Sequence, residues 1–161
     1  MDKVARAVLR HLFQEYLKAS SVLYNIRPVT DLYKADAAEV SQFLLDKQWI
    51  RERWVHQSNS VTCRITVSGI EEINPAFIRT KLKQLIGALV HSGGQKSLMD
   101  IFDNHIQEYA IALDLVYQLD KLGFVHILHR DGEINVELTP YGYQYFEKNG
   151  KFLFALMSVA A

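Results

Sequence analysis

Apolar residues recur at helical spacing from the start of the chain. Val4, Val8, Leu9, Leu12, Phe13, Tyr16 and Leu17 mark one helix face, and Ala19-Ser20-Ser21 ends that helix. A short helix is predicted after Pro28, over residues 30–35. Asp36 then caps a further helix, with Glu39 at the capping-box position, running to about Gln48. Residues 50–55 and 61–67 are rich in β-branched and aromatic side chains and read as two strands. The polar Gln57-Ser58-Asn59-Ser60 is their hairpin tip. A closing helical turn over residues 68–73 is interrupted by Pro75.

The pattern then repeats. Ile78, Leu82, Leu85, Ile86, Leu89 and Val90 form a helix face, stopped by Ser92-Gly93-Gly94. A short helix (97–102), a long one (106–122), two strands (124–129 and 134–138) and a terminal helix (141–148) follow. Asp131-Gly132 between the strands is a type I′ hairpin signal, since glycine tolerates positive φ. Short motifs recur with the elements. Leu45-Asp46-Lys47-Gln48-Trp49-Ile50 returns as Leu119-Asp120-Lys121-Leu122-Gly123-Phe124. Ile65-Thr66-Val67-Ser68-Gly69 returns as Leu138-Thr139-Pro140-Tyr141-Gly142.

The block Leu119-Asp120-Lys121-Leu122-Gly123-Phe124-Val125, followed by a hairpin and Leu138-Thr139-Pro140-Tyr141-Gly142, resembles winged-helix regulators of the broad PadR and MarR type. In those proteins a glycine ends the recognition helix and a Leu-Thr-x-x-Gly block follows the wing. The resemblance covers the second unit well and the first more weakly, where Trp49 stands in place of the glycine. It implies a mainly α chain with small β wings (α+β), with two winged-helix domains in tandem, residues 1–75 and 76–150. An apolar C-terminal segment, 151–161, remains for packing or dimerisation.

Composition narrows the function. Nearly half the residues are apolar, 49%, so a buried core is within reach and disorder is not expected. Lys and Arg total 18 and Asp and Glu total 18, so the general basic excess of a nonspecific DNA coat is absent. A lone cysteine, Cys63, cannot form an internal disulfide, and a reduced cytoplasmic setting is expected. No apolar run has signal-peptide or membrane-spanning character.

Enzymatic and metal chemistry find no foothold in the pattern, and no cofactor is expected. His126 and His129 lie three apart on a strand, so they point to opposite faces and cannot share a metal. Asp100, Asp103, His105 and Glu108 are explained by helix capping and a solvated face. Ser92-Gly93-Gly94-Gln95-Lys96-Ser97 has Gln95 where a phosphate-binding loop needs glycine, and an amphipathic helix precedes it instead of a strand. Trp49, Trp54, Tyr16, Phe43 and Phe13 fall on predicted apolar faces and read as core.

Two functions fit the resemblance. The first is DNA binding by a transcriptional regulator, through the second motif helix and the wing of the first unit. Lys34, Lys47, Arg51, Arg53 and Arg64 supply its cations, and Ser41 and Gln42 would reach base edges. A turn at Ser58-Asn59 would set Arg53 opposite Arg64, a like-charge pair that a phosphate would relieve. The second is a protein-interaction module, an assembly subunit without sequence-specific DNA binding. The two units favour it by being nearly neutral: residues 1–75 carry 10 basic and 9 acidic groups, and residues 76–161 carry 8 and 9. Residues 151–161 are apolar nearly all round and need cover on more than one side, so a homodimer through this segment is expected.

Overall fold

The apolar stripe at the start of the chain forms α1 (Asp2–Lys18), which buries Val8, Leu9, Leu12 and Tyr16. The computed structural model describes residues 1–19, 22–101 and 106–149. The expected stop at Ser20-Ser21, the polar residues Asp103 and His105, and the segment 151–161 lie outside them.

The chain divides into two compact units, Met1–Phe77 and Ile78–Ala161. In the first, α1 is followed by β1 (Tyr24–Asn25), α2 (Arg27–Leu32), α3 (Ala37–Asp46), β2 (Ile50–Val55), β3 (Val61–Ile65) and α4 (Val67–Ile73). The strands form one antiparallel sheet in the order β1-β3-β2. Its inner face meets α1 and α3, and Val40, Leu44, Ile50, Val61, Ile65 and Ile70 complete the core. Each such large side chain contributes about 1.5–3 kcal/mol on burial.

In the second unit the order is α5 (Pro75–His91), β4 (Gln95–Ser97), α6 (Leu98–Ile101), α7 (Ile106–Lys121), β5 (Val125–Arg130), β6 (Glu133–Leu138) and α8 (Pro140–Asn149). Its sheet order is β4-β6-β5, also antiparallel. Leu82, Leu85, Leu89, Leu98, Leu115, Leu119, Phe124, Val136 and Leu138 are buried. Both units therefore run helix, strand, two helices, two strands, helix, an α+β pattern. Among the described residues no helix is long and apolar enough to cross a membrane.

Some elements depart from the sequence expectation. The helix expected over 30–35 starts three residues earlier, because a proline fits the first helical turn, where its missing N–H is no loss. β1 and β4 are two and three residues long, too short to show a period. The stretch Ser92–Ser97, which the sequence marks as a helix stop and not as a strand, ends in β4. Pro75 opens α5, leaving Asn74 alone between it and α4.

The recurring motifs have a common physical basis. Thr66 and Thr139 each cap the closing helix, accepting from the N–H of Gly69 (3.1 Å) and of Gly142 (2.9 Å). The same hydroxyls donate back to the carbonyls of Gln48 (2.8 Å) and Gly123 (2.7 Å). Their backbone N–H groups bind the carbonyls of Trp49 and Phe124, both at 3.0 Å. A Cβ at Gly69 or Gly142 would collide with those same carbonyls of Trp49 and Phe124, so glycine is needed for close approach. These contacts correct the alignment drawn from the sequence. Gln48, at φ 59, takes the place of Gly123, at φ 78, and Trp49 takes that of Phe124. The first motif is thus offset by one residue from its apparent sequence match.

Candidate interaction surface on the β2–β3 hairpin

β3 alternates regularly: Val61, Cys63 and Ile65 are buried, and Thr62 and Arg64 belong to the outer face. β2 does not. Ile50 opposes Ile65 and Arg51 opposes Arg64, but Trp54 then opposes Thr62 and Val55 opposes Val61. Two residues, Glu52 and Arg53, face the single Cys63. This is a β-bulge, and Glu52 is in the left-handed region at φ 54. A residue other than glycine held there costs on the order of 1–3 kcal/mol.

The bulge decides which side chains are displayed. In an unbroken ladder Arg53 would lie opposite Thr62 on the outer face, and Trp54 opposite Val61 on the inner one. Instead Arg53 turns inward and Trp54 outward. Arg53 Nε donates to Ser41 Oγ at 2.7 Å and its Nη2 donates to the Ala38 carbonyl at 3.1 Å, tying β2 to α3. Hydrogen bonds from a charged donor contribute about 1.5–3 kcal/mol, enough to offset the strain at Glu52. Trp54 is left 62% exposed, which corrects its expected place in the core. Tyr16 is buried as expected, and Phe13, Phe43 and Trp49 are half-buried. The edge-on pairs Phe13–Phe77 (5.0 Å) and Phe43–Trp49 (6.2 Å) hold these last three.

The residues expected to meet DNA are dispersed by this geometry. Ser41 is fully buried, and its hydroxyl donates to the Ala38 carbonyl at 3.0 Å while accepting from Arg53. It cannot reach a base edge from there, so that expectation is overturned. Gln42 is exposed and donates to Asp46 Oδ1 at 2.8 Å. Lys47 is exposed, with Nζ 5.7 Å from the Phe43 ring centroid. Lys34 is exposed at the left-handed residue after α2, φ 50. The expected opposition of Arg53 and Arg64 is also corrected. Arg51 faces Arg64, and Arg64 already has an anion from the chain itself: its Nε donates to Glu52 Oε2 at 2.6 Å. The exposed groups of α3 and its N-cap are Asp36, Glu39, Gln42 and Asp46, three of them acidic, and the exposed C-cap Lys47 adds one cation.

Around Trp54 the outer face carries Arg51, Arg64, Glu52, Thr62 and His56, whose Nε2 lies 2.9 Å from Thr62 Oγ1. On the inner side Cys63 is fully buried. Burial pushes its thiol up to about 12 from 9.0, with the Arg53 charge pulling partly the other way. At neutral pH it is a packed, unreactive thiol.

The hairpin tip is fastened down. Asn59, at φ 55, accepts from the N–H of Ala37 at 2.7 Å with its Oδ1. Its Nδ2 donates to Asp31 Oδ1 and to the Ala35 carbonyl, both at 3.2 Å. The tip thus caps α3 and stays against the α2–α3 turn.

In the second unit the ladder is regular, with six pairs from Val125↔Leu138 to Arg130↔Glu133. Leu128 opposite Asn135 occupies the place of Trp54 opposite Thr62, and His126 opposite Glu137 that of Arg51 opposite Arg64. His126 and His129 fall on opposite faces of this ladder. No group of three or more His, Cys, Asp or Glu among the described residues is placed to hold a metal.

Trp54 was missed because strand alternation, applied without a bulge, assigns it to the interior. The signal that could have found it is the charged run Arg51-Glu52-Arg53, which has no inner-face apolar residue between Ile50 and Trp54. The chain matches no protein family, no curated protein and no solved structure.

Proposed function

We propose that the chain is a tandem winged-helix protein that serves as a protein-interaction module, without sequence-specific DNA binding. The order helix, strand, helix, helix, two-stranded hairpin, helix, present twice, supports the winged-helix reading. The observation that carries the choice of function is the solvent side of α3. A helix that enters the major groove approaches two rows of phosphates, and cations favour that approach. Here Asp36, Glu39 and Asp46 face solvent against one cation, the C-cap Lys47, while Gln42 is bonded to Asp46 and Ser41 is buried. Arg53 is bonded to α3 and Arg64 to Glu52, so two of the expected phosphate contacts already have partners. Tryptophan and arginine are the residue types that most often dominate protein interfaces, and the exposed Trp54 lies beside Arg51 and Arg64.

A titration with random-sequence duplex DNA, followed by fluorescence anisotropy at low and at physiological salt, tests this reading. The expected result is no binding at physiological salt and no steep salt dependence. Binding that weakens steeply as salt rises would overturn it in favour of a DNA-associated regulator.

A further inference from the structure

We propose that the tip of the second hairpin, Asp131-Gly132, is a self-modification site. There the folded chain converts an aspartate to isoaspartate through a cyclic imide, with water as the only co-reactant.

Such a ring closes when a carboxyl carbon can swing to the next main-chain nitrogen, when that N–H is not spent on a hydrogen bond, and when the neighbour is small. Asp131-Gly132 is the one Asp-Gly pair in the sequence. It forms the two-residue turn between the paired residues Arg130 and Glu133, so the ladder ends on those flanking residues. The Gly132 N–H has no backbone partner among the described residues. Asp131 is exposed, and its carboxylate has no hydrogen bond or ion pair to a described residue. Even a Cβ built on Gly132 would meet nothing within 4 Å, so no neighbouring group obstructs closure. Both residues sit at positive φ, 53 and 75, and glycine lets the turn leave that conformation as the ring forms.

The first hairpin carries a comparable pair, Asn59-Ser60, in the opposite condition. Asn59 Oδ1 accepts from Ala37, and Nδ2 donates to Asp31 and to the Ala35 carbonyl, so its side-chain carbon cannot swing without breaking three hydrogen bonds.

In the reaction the Gly132 nitrogen attacks the carboxyl carbon of protonated Asp131. A C–N bond forms, a C–O bond breaks, and the carboxyl hydroxyl leaves with the amide proton as water. Water then adds back to the imide. Opening at the side-chain carbonyl restores aspartate. Opening at the main-chain carbonyl routes the chain through the former side chain and leaves a new α-carboxylate. The main chain is then one carbon longer, and the turn no longer matches the Arg130↔Glu133 pairing.

Incubation of the full chain at physiological pH and temperature, folded and in parallel in urea, tests the site. Peptide mapping with an isoaspartate-specific carboxyl methyltransferase as the probe reads each position. Isoaspartate at residue 131 should form in the folded chain within roughly threefold of its rate in urea, since an unfastened tip opens at little cost. At Asn59 folding should suppress it by more than roughly tenfold, through the three hydrogen bonds. Asp131→Glu keeps the charge but requires a larger, slower-closing ring, and should abolish the signal from that peptide. A thermal melt matching the parent's would establish that this variant folds. Isoaspartate at residue 131 in urea alone would overturn the proposal, because the folded tip would then be protected. So would its absence under both conditions, or a signal from that peptide that survives Asp131→Glu.

Discussion

At Gly69 and Gly142 a single hydrogen atom separates a tight fit from a collision. Alanine at either position would press its methyl group into a backbone carbonyl that cannot move without loosening the threonine clamp. We expect Gly142→Ala to destabilise the second unit, and Gly69→Ala the first, by about 1–3 kcal/mol, measured by urea unfolding. Equal stability would mean that the closing helices have slack. Cys63 makes a prediction of a different kind. Its thiol is raised from 9.0 to about 12 by burial, so the folded state holds its proton where the unfolded chain releases it. Its contribution is fully present below pH 9.0 and is lost as pH rises toward about 12. Stability measured against pH should therefore fall more steeply above pH 9.0 in the parent than in Cys63→Ala. Parallel curves would contradict a buried thiol. The threonines and glycines of the clamp were visible in the sequence as repeated letters, but the first motif was aligned one residue out. Glutamine holds the left-handed position there, and a glycine search passes over it.

Helices were the most legible elements, because each buried stripe in α1, α5 and α7 spans enough turns to show its period. The strands were legible as strands, but their register was not. Register depends on the Glu52 bulge, and its one mark in the letters is indirect, the charged run Arg51-Glu52-Arg53 with no apolar residue for the inner face. For this reason Arg53 was assigned to the surface and Trp54 to the core. Arg53 should now behave as a tie between β2 and α3. Arg53→Met keeps much of the side-chain bulk and removes both hydrogen bonds, so the first unit should lose about 1.5–3 kcal/mol by chemical denaturation. A neutral effect would mean that the bulge is held by its strand pairing alone.

Taken together, the two units share an element order and a sheet order, and differ in what their hairpins do. The order was legible because every helix and hairpin announces itself locally. The candidate surface was not, since it arises from a departure from the repeat. If residues 151–161 join two copies, as their apolar composition suggests, light scattering should give twice the chain mass. Removing the segment should then return the mass to that of one chain. A full-length protein that already runs as a single chain at high concentration would dispose of the dimer.

The fastening of Asn59 sets how freely each hairpin could be lengthened. An insertion at the first tip would pull the Asn59 amide away from Ala37 and leave that first N–H of α3 without its partner, though the Asp36 cap would stay, a loss of about 1 kcal/mol beyond the small entropy of a longer loop. At the second tip Asp131 and Gly132 are exposed, and no side-chain hydrogen bond ties either of them to another described residue. A protein engineer seeking a place for a fluorophore, an epitope or a grafted binding loop would therefore choose the second hairpin. A short glycine-serine insertion after Gly132 should leave the melting temperature nearly unchanged, whereas the same insertion after Asn59 should lower it. Over evolutionary time the same asymmetry would let the second tip vary in length and hold the first fixed.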